Sequence, residues 1–259
     1  MTKYLIINAD DFGWDEETVA ATIKLFEKGV LTSATIMTGM PGTPKAIEYA
    51  KKNQDRFSFG LHFNIVDGHA SHSLSPNSLT TPENRVFKDS NQQRINALMW
   101  KLNKKDIQHE LECQLSQLFD AGINVSHIDS HGHLHKFPQI IHAAKPILKK
   151  YKITSVRIPQ NIFQNKNLKK SLINNIFRLF FGGTKHPDYF FMLEHHEDSD
   201  WLEKFLNDIP DGLTELGIHP GTTDAWRAVE TQPFFHDEIL KKLNRPDLNL
   251  VNYNFIDRR

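Results

Sequence analysis

Short apolar runs alternate along the chain with segments whose apolar residues recur every three or four positions. Residues 4–8 are the first apolar run, a predicted strand. Residues 15–28 follow with helical spacing, Val19, Ile23 and Phe26 on one face, and Gly29 is a natural stop. Strand patterns return at 32–37, 57–64, 125–130, 154–158, 188–193 and 213–219. Helical patterns occupy 43–52, 92–102, 106–121, 138–150, 198–208 and 234–243, and a last apolar alternation covers 248–255. Between 66 and 91 the chain is polar and rich in turn residues. An excursion that long is uncommon in a compact domain unless it has a function. Six to eight β/α repeats in 259 residues predict an α/β fold with a parallel strand core. A complete or distorted β/α barrel suits this length better than an open sheet. No linker, repeat or low-complexity tract interrupts the pattern, so one domain over residues 1–259 is expected.

Composition adds exclusions. A hydrophobic fraction of 39% with 24% charged residues is ordinary for a globular chain. Lys+Arg and Asp+Glu both number 31, a balance that predicts no attraction to nucleic acid or to an anionic membrane. The partner expected is a small neutral molecule. Cys113 is the single cysteine, so no intramolecular disulfide forms. The opening apolar run is broken at Asp10, too early for a signal-peptide core or a membrane span, and the expected address is the cytoplasm. A homodimer is expected on general grounds for a soluble enzyme.

Residues able to do chemistry fall at strand ends. Asp10 and Asp11 follow the first strand, His62 is near the end of the third, and His131 lies just past 125–130. Arg157 is near the end of 154–158, and His219 closes 213–219. In a β/α barrel these ends converge on one face. Successive side chains near a strand end point differently, so Asp10 and Asp11 suit two roles, metal ligand and general base. A cap or turn residue before the helix is the other reading of either. His62 alone reads first as a hydrogen-bonded core residue and second as a ligand.

The segment His127-Ile-Asp-Ser-His-Gly-His-Leu-His135 is denser in candidates. His127, Asp129 and His131 share one face of an extended segment, and His133 and His135 continue it if the backbone stays extended. Divalent metals take imidazole and carboxylate ligands, and a second carboxylate usually orients the imidazole, a role that suits Asp129. Ile128 and Phe137 argue against a solvated histidine loop. Pro220 and Gly221 force a sharp exit that holds His219 at the rim, and Glu215, on the same strand face by period, is expected to orient it. A purely structural turn competes with that reading. Arg157 is left between binding a substrate oxygen and pairing with a carboxylate.

Asn-Ala-Asp-Asp-Phe-Gly at 8–13, Gly-Leu-His at 60–62, Asp-Ser-His-Gly-His-Leu-His at 129–135 and His-Pro-Gly at 219–221 resemble, in order and spacing, the motifs of the YdjC-type carbohydrate deacetylase family. The resemblance implies a β/α barrel with one divalent ion, Mg2+ or Zn2+, on Asp11, His62 and His131. It implies Asp10 as catalytic base and His219 as general acid. The implied reaction is removal of the acetyl group from an N-acetylated sugar or short oligosaccharide, such as a chitooligosaccharide, by metal-activated water. Gly39 stands where many relatives carry Asn, and the stretch after Trp226 follows the family pattern loosely.

Other readings use the same residues. Two histidines and a carboxylate also suit non-haem Fe(II) oxygenases, whose periodicity would be all-β. A metal-dependent sugar isomerase or phosphoesterase on a barrel is nearer; the latter calls for several cations at the pocket, and Arg157 is the evident one. A non-catalytic sugar-binding protein would be expected to lack Asp10. No dinucleotide or phosphate-loop glycine pattern occurs, which leaves hydrolysis the economical choice.

Overall fold

The computed structural model describes residues 2–71, 77–82, 85–162, 168–193 and 200–259. Its strands are β1 (Lys3–Phe12), β2 (Ser33–Ile36), β3 (Ser58–Phe63), β4 (Val125–Ser130), β5 (Ser155–Val156), β6 (Tyr189–Met192), β7 (Gly212–Ile218) and β8 (Leu248–Leu250). Helices α1 (Glu16–Glu27), α2 (Thr43–Asn53), α3 (Ser90–Leu98), α4 (Lys104–Asp120), α5 (Pro138–Lys150), α6 (Leu168–Arg178), α7 (Trp201–Asp208), α8 (Ala225–Phe235) and α9 (Ile239–Leu243) connect them. Every strand ladder is parallel, in the order β5-β4-β3-β2-β1-β7-β6. β7 pairs with residues 3–9 of β1 on one edge. The other edge is shared, with β8 against residues 3–5 and β2 against residues 8–12.

β5 and β6 end this order. Between them a side chain stands in for a ladder: Asn161 Nδ2 donates to the Asp188 carbonyl at 2.9 Å, and its Oδ1 accepts from the Phe190 amide at 2.8 Å. The sheet is thus curled into a half-barrel, the distorted form of the expected barrel. The strand expected at 154–158 shrinks to two residues, since Pro159 removes a donor and turns the chain outward.

Alternation along the strands sorts two layers. In β1, Leu5, Ile7 and Ala9 join the core under the helices, together with Ala34, Ile36, Phe59, Leu61, Leu216 and Ile218 from neighbouring strands. The other parity lines the concave side. There Ile6 and Leu213 pack with Tyr253 and Ile256 at the bottom. Above them the lining turns polar and buried: Asn8, Asp10, Thr35, His62, His127, Asp129 and Glu215. The 3-10 turn Tyr253–Arg258 plugs the lower end, Tyr253 stacking on His127 with ring centroids 3.5 Å apart.

Gly60 makes room for that stack. A Cβ there would lie 2.6 Å from His127 Cε1 and 2.7 Å from the His127 carbonyl oxygen. Gly60→Ala is therefore expected to cost about 1–3 kcal/mol, the usual range for overpacking a core. Urea unfolding should show a lower midpoint at constant slope; an unchanged midpoint would contradict this packing.

Besides β5, three elements differ from expectation. β1 runs four residues past the predicted strand, through both aspartates. The helix expected at 234–243 is two, α8 and α9, parted at His236 (ψ 141°). α6 was not anticipated at all, because most of its apolar residues face away from the core. Residues 198–199 of the helix expected at 198–208, and residues 72–76 and 83–84 of the excursion, lie outside the described residues.

Candidate metal centre

The site begins with an irregularity in β1. Its register with β2 shifts between Ala9 and Phe12, and Asp11 takes φ 57°. Aspartate is among the few non-glycine residues that adopt this left-handed backbone readily. Asp10 stays on the concave face with Ile6 and Asn8, while Asp11 swings to the rim. Neither caps the next helix. That is Asp15, whose carboxylate accepts from the Thr18 amide at 2.7 Å.

At the rim Asp11 meets two histidines. Its Oδ1 lies 3.1 Å from His62 Nε2 and 2.8 Å from His131 Nδ1. One donor atom from each of the three residues falls within 4.8 Å of the others. His62 donates from Nδ1 to Asp129 Oδ1 at 2.7 Å, and Thr35 Oγ1 donates to the other oxygen of Asp129 at 3.0 Å. This fixes the ring and leaves His62 Nε2 buried without a hydrogen-bond partner, its approach to Asp11 being a charge contact only. An orphaned imidazole nitrogen facing a carboxylate and a second imidazole fits a divalent cation in donor type. Asp10, His62 and Asp129 form a second trio of the same span. Arg157 Nη1 already touches both carboxylates of that trio, Asp10 Oδ2 at 2.5 Å and Asp129 Oδ2 at 2.7 Å, and His62 Nδ1 is taken up by Asp129. In the first trio Arg227 takes Asp11 Oδ2 alone and leaves Oδ1 facing the two histidines. The first trio fits better.

Arg157 is fully buried under the site. It also grips Glu215 Oε1 through Nε at 2.8 Å and lies over the Phe190 ring. It therefore pairs with carboxylates and does not face a substrate. Burial pushes the Asp10 carboxyl up, but the Arg157 guanidinium outweighs it and holds Asp10 far below the usual carboxylate range. Burial dominates at Glu215 and raises it to about 7. Burial disfavours a charged His62, yet Asp129, Asp11 and Asp10 together push it up to about 10. His131 has carboxylates at both nitrogens, Asp11 and, at 2.8 Å, Asp67. They overcome its burial and raise it to about 9. His219 is raised as well, Glu230 prevailing over burial.

Two expectations are corrected. His133 and His135 do not continue the face of His127, Asp129 and His131. Residues His131–Lys136 wind into a 3-10 turn, with Gly132 at φ 61° and His133 at φ 55°. His135 is carried inward to Ser130 Oγ, 2.9 Å away, and His133 lines the cavity wall. Glu215 does not orient His219 either. β7 ends at Ile218, the chain turns at Pro220, and Glu215 stays inside with Arg157 and Tyr253. Glu230 of α8 takes that part, accepting from the His219 amide at 2.7 Å and lying 3.1 Å from Nδ1.

Several members of the site were not foreseen. Arg227 of α8 is buried and donates from Nη2 to Asp11 Oδ2 at 2.7 Å. Gly221 lets it pass, for a Cβ there would meet Arg227 Cδ at 2.7 Å. Asp67 opens the excursion and reaches His131. Trp14 stacks on His131 (centroids 5.6 Å), and Trp226 stands edge-on to His219 (5.1 Å). None follows a strand-end rule; the signal available was nearness in sequence to a motif, Asp-Asp for Trp14, Gly-Leu-His for Asp67 and His-Pro-Gly for Trp226 and Arg227. Trp14, Trp226 and Arg227 border, with Asp11, His62 and His131, a cavity of about 380 Å3.

A family model described as YdjC-like protein matches residues 4–245. A carbohydrate deacetylase of Halalkalibacterium halodurans is 30% identical over 223 residues, 85% of this chain and 86% of its own length. One of Geobacillus stearothermophilus is 31% identical over 153 residues, and that match spans 59% of each chain. A solved structure from Enterococcus faecalis, provisionally described as a cellobiose-phosphate cleavage protein, superposes with a TM-score of 0.77 at 20% identity, covering 98% of this chain and 99% of that one. At that identity the likeness concerns the fold.

Proposed function

The chain belongs to the YdjC-like family, and from that membership and the site's geometry we propose that it removes the acetyl group from an N-acetylated sugar with the help of one divalent metal ion. The observation that carries the reading is the orphaned Nε2 of His62, set between Asp11 and His131 and beside an ionised Asp10. Asp11, His62 and His131 would hold the ion, Mg2+ or Zn2+. Bound there, it supplies an acidified water and a polarised acetyl carbonyl. The rest is done by side chains. Asp10, kept ionised by Arg157, accepts the proton of the attacking water at a carboxylate oxygen. His219, kept protonated by Glu230, gives a proton to the leaving amine as the C–N bond breaks. Trp14 and Trp226, which line the same cavity, would supply apolar contact to the sugar.

Acetate release from N-acetylglucosamine, di-N-acetylchitobiose and longer chitooligosaccharides, with added Mg2+ or Zn2+, tests the reading. Release from at least one member of the series is expected. Silence on all of them, with phosphate release or isomerisation of a sugar phosphate instead, would replace the reading.

Metal binding should also strengthen with pH. His62 and His131 titrate near 10 and 9 in the folded, metal-free protein, above the ordinary 6.5. Their stabilising contribution is therefore complete below pH 6.5 and is lost as pH rises through 9 to 10. A bound ion requires the neutral rings and displaces their protons. The rise in Tm on adding Zn2+ should be larger at pH 8.5 than at pH 6.5, as read by calorimetry. An equal or smaller rise at the higher pH would speak against ligation by these histidines.

A further inference from the structure

α6 and the 3-10 turn that follows it, Leu179–Phe181, carry their apolar side chains outward. Leu168 is 83% exposed, Leu172 62% and Leu179 78%, and Ile173, Ile176 and Phe180 are exposed as well. An amphipathic helix serving its own core shows the reverse. Charge is equally uneven. The whole chain balances 31 cations against 31 anions, yet residues 165–185 contain Lys166, Lys169, Lys170, Arg178 and Lys185 and no Asp or Glu. The whole-chain balance, which predicts indifference to anionic surfaces, hides this segment.

Position adds a third observation. Lys170 and Asn174 of α6 line a cavity of about 400 Å3 that is also lined by Arg94 of α3 and by His133. Arg94 and His133 border the metal cavity too, so the two cavities adjoin. α3, which supplies Arg94, ends in another outward apolar group, Ile95, Leu98, Met99 and Trp100, each more than half exposed. Exposed apolar groups thus occur on two of the elements that flank the outer cavity, α3 and α6.

We propose that α6, the turn at residues 179–181 and the end of α3 form a docking surface for an anionic phospholipid bilayer. Helices with apolar and basic side chains and no acidic ones settle at the headgroup boundary, the apolar groups entering and the cations meeting phosphates. Docked this way, the protein holds the outer cavity close to the lipid. A second copy of this chain is the less fitting occupant, because a two-fold contact through this patch brings the basic side chains of one copy against those of the other, with no carboxylate in residues 165–185 to offset them. Among the described residues no helix is long and apolar enough to cross a membrane, so the attachment is peripheral.

Co-sedimentation tests this with vesicles of phosphatidylcholine alone and of phosphatidylcholine and phosphatidylglycerol in equal parts. Binding to the mixed vesicles at low salt is expected, weakening as salt is raised. Lys169→Glu with Arg178→Glu should weaken it about a hundred-fold or more, at about 1 kcal/mol per basic residue near the surface. Leu172→Ser with Ile176→Ser should weaken it independently. All four positions lie outside the metal site, so acetate release from a soluble substrate and the unfolding midpoint should stay as in the parent. No binding to the mixed vesicles, or binding that survives both double variants, overturns the proposal. So does a dimer, seen by light scattering, that Leu172→Ser with Ile176→Ser dissociates while no vesicle binding is found.

Discussion

Arg157→Met should remove about 3–5 kcal/mol of folding stability, the cost of breaking a buried ion pair from one side. The guanidinium is fully buried and touches Asp10, Asp129 and Glu215, drawn from three different strands. Without it, three buried carboxyl groups lose their cation at once. Burial then weighs more heavily on Asp10 and Glu215, which take up a proton at a higher pH than before. Asp10 would cease to be a ready proton acceptor near neutrality, so any folded fraction should also lose activity. Arg157→Lys restores charge but not the planar fork that reaches several oxygens, and should recover only part of the loss. Urea unfolding measures this directly. A loss under about 1 kcal/mol for Arg157→Met would mean that the carboxylates are satisfied in some other way.

The second large effect is expected at Asp10. Asp10→Asn keeps the size of the side chain and one oxygen to accept from Arg157 Nη2 and Asn8, but its amide nitrogen cannot accept from Arg157 Nη1, and the group that would take the water's proton is gone. Turnover should fall by about a thousand-fold, within the range for loss of a general base. Metal stoichiometry should stay unchanged, because Asp10 stands outside the preferred ligand trio. Loss of metal along with turnover would move Asp10 into the ligand set, and undiminished turnover would remove it from the base role.

Much of this was written in the strands. Asn8, Asp10, His62, His127 and Asp129 alternate with Leu, Ile, Ala and Phe at period two, and this parity separates a polar concave face from the apolar layer under the helices. Strand-end position sufficed to anticipate that Asp11, His62 and His131 would meet. What stayed hidden depends on departures from regular backbone. The turn at Gly132 and His133 redirects two histidines that an extended chain would have left on the shared face. The bend at Pro220 parts His219 from Glu215, and its carboxylate comes instead from Glu230 on a helix whose start was placed nine residues too late. Arg227 and Asp67 reach the site from a helix and from an irregular excursion, where no periodicity marks them. α6 went unseen because its outward apolar residues do not report on a core.

The most direct test of the central claim is a metal titration. Protein freed of metal by chelation would receive Zn2+ in steps while acetate release is followed, beside a His62→Gln variant. The proposed centre predicts silence without metal, recovery that levels off at one equivalent, and no recovery in the variant. Undiminished acetate release from protein free of bound metal, or a variant that recovers like the parent, would contradict a metal centre built on Asp11, His62 and His131.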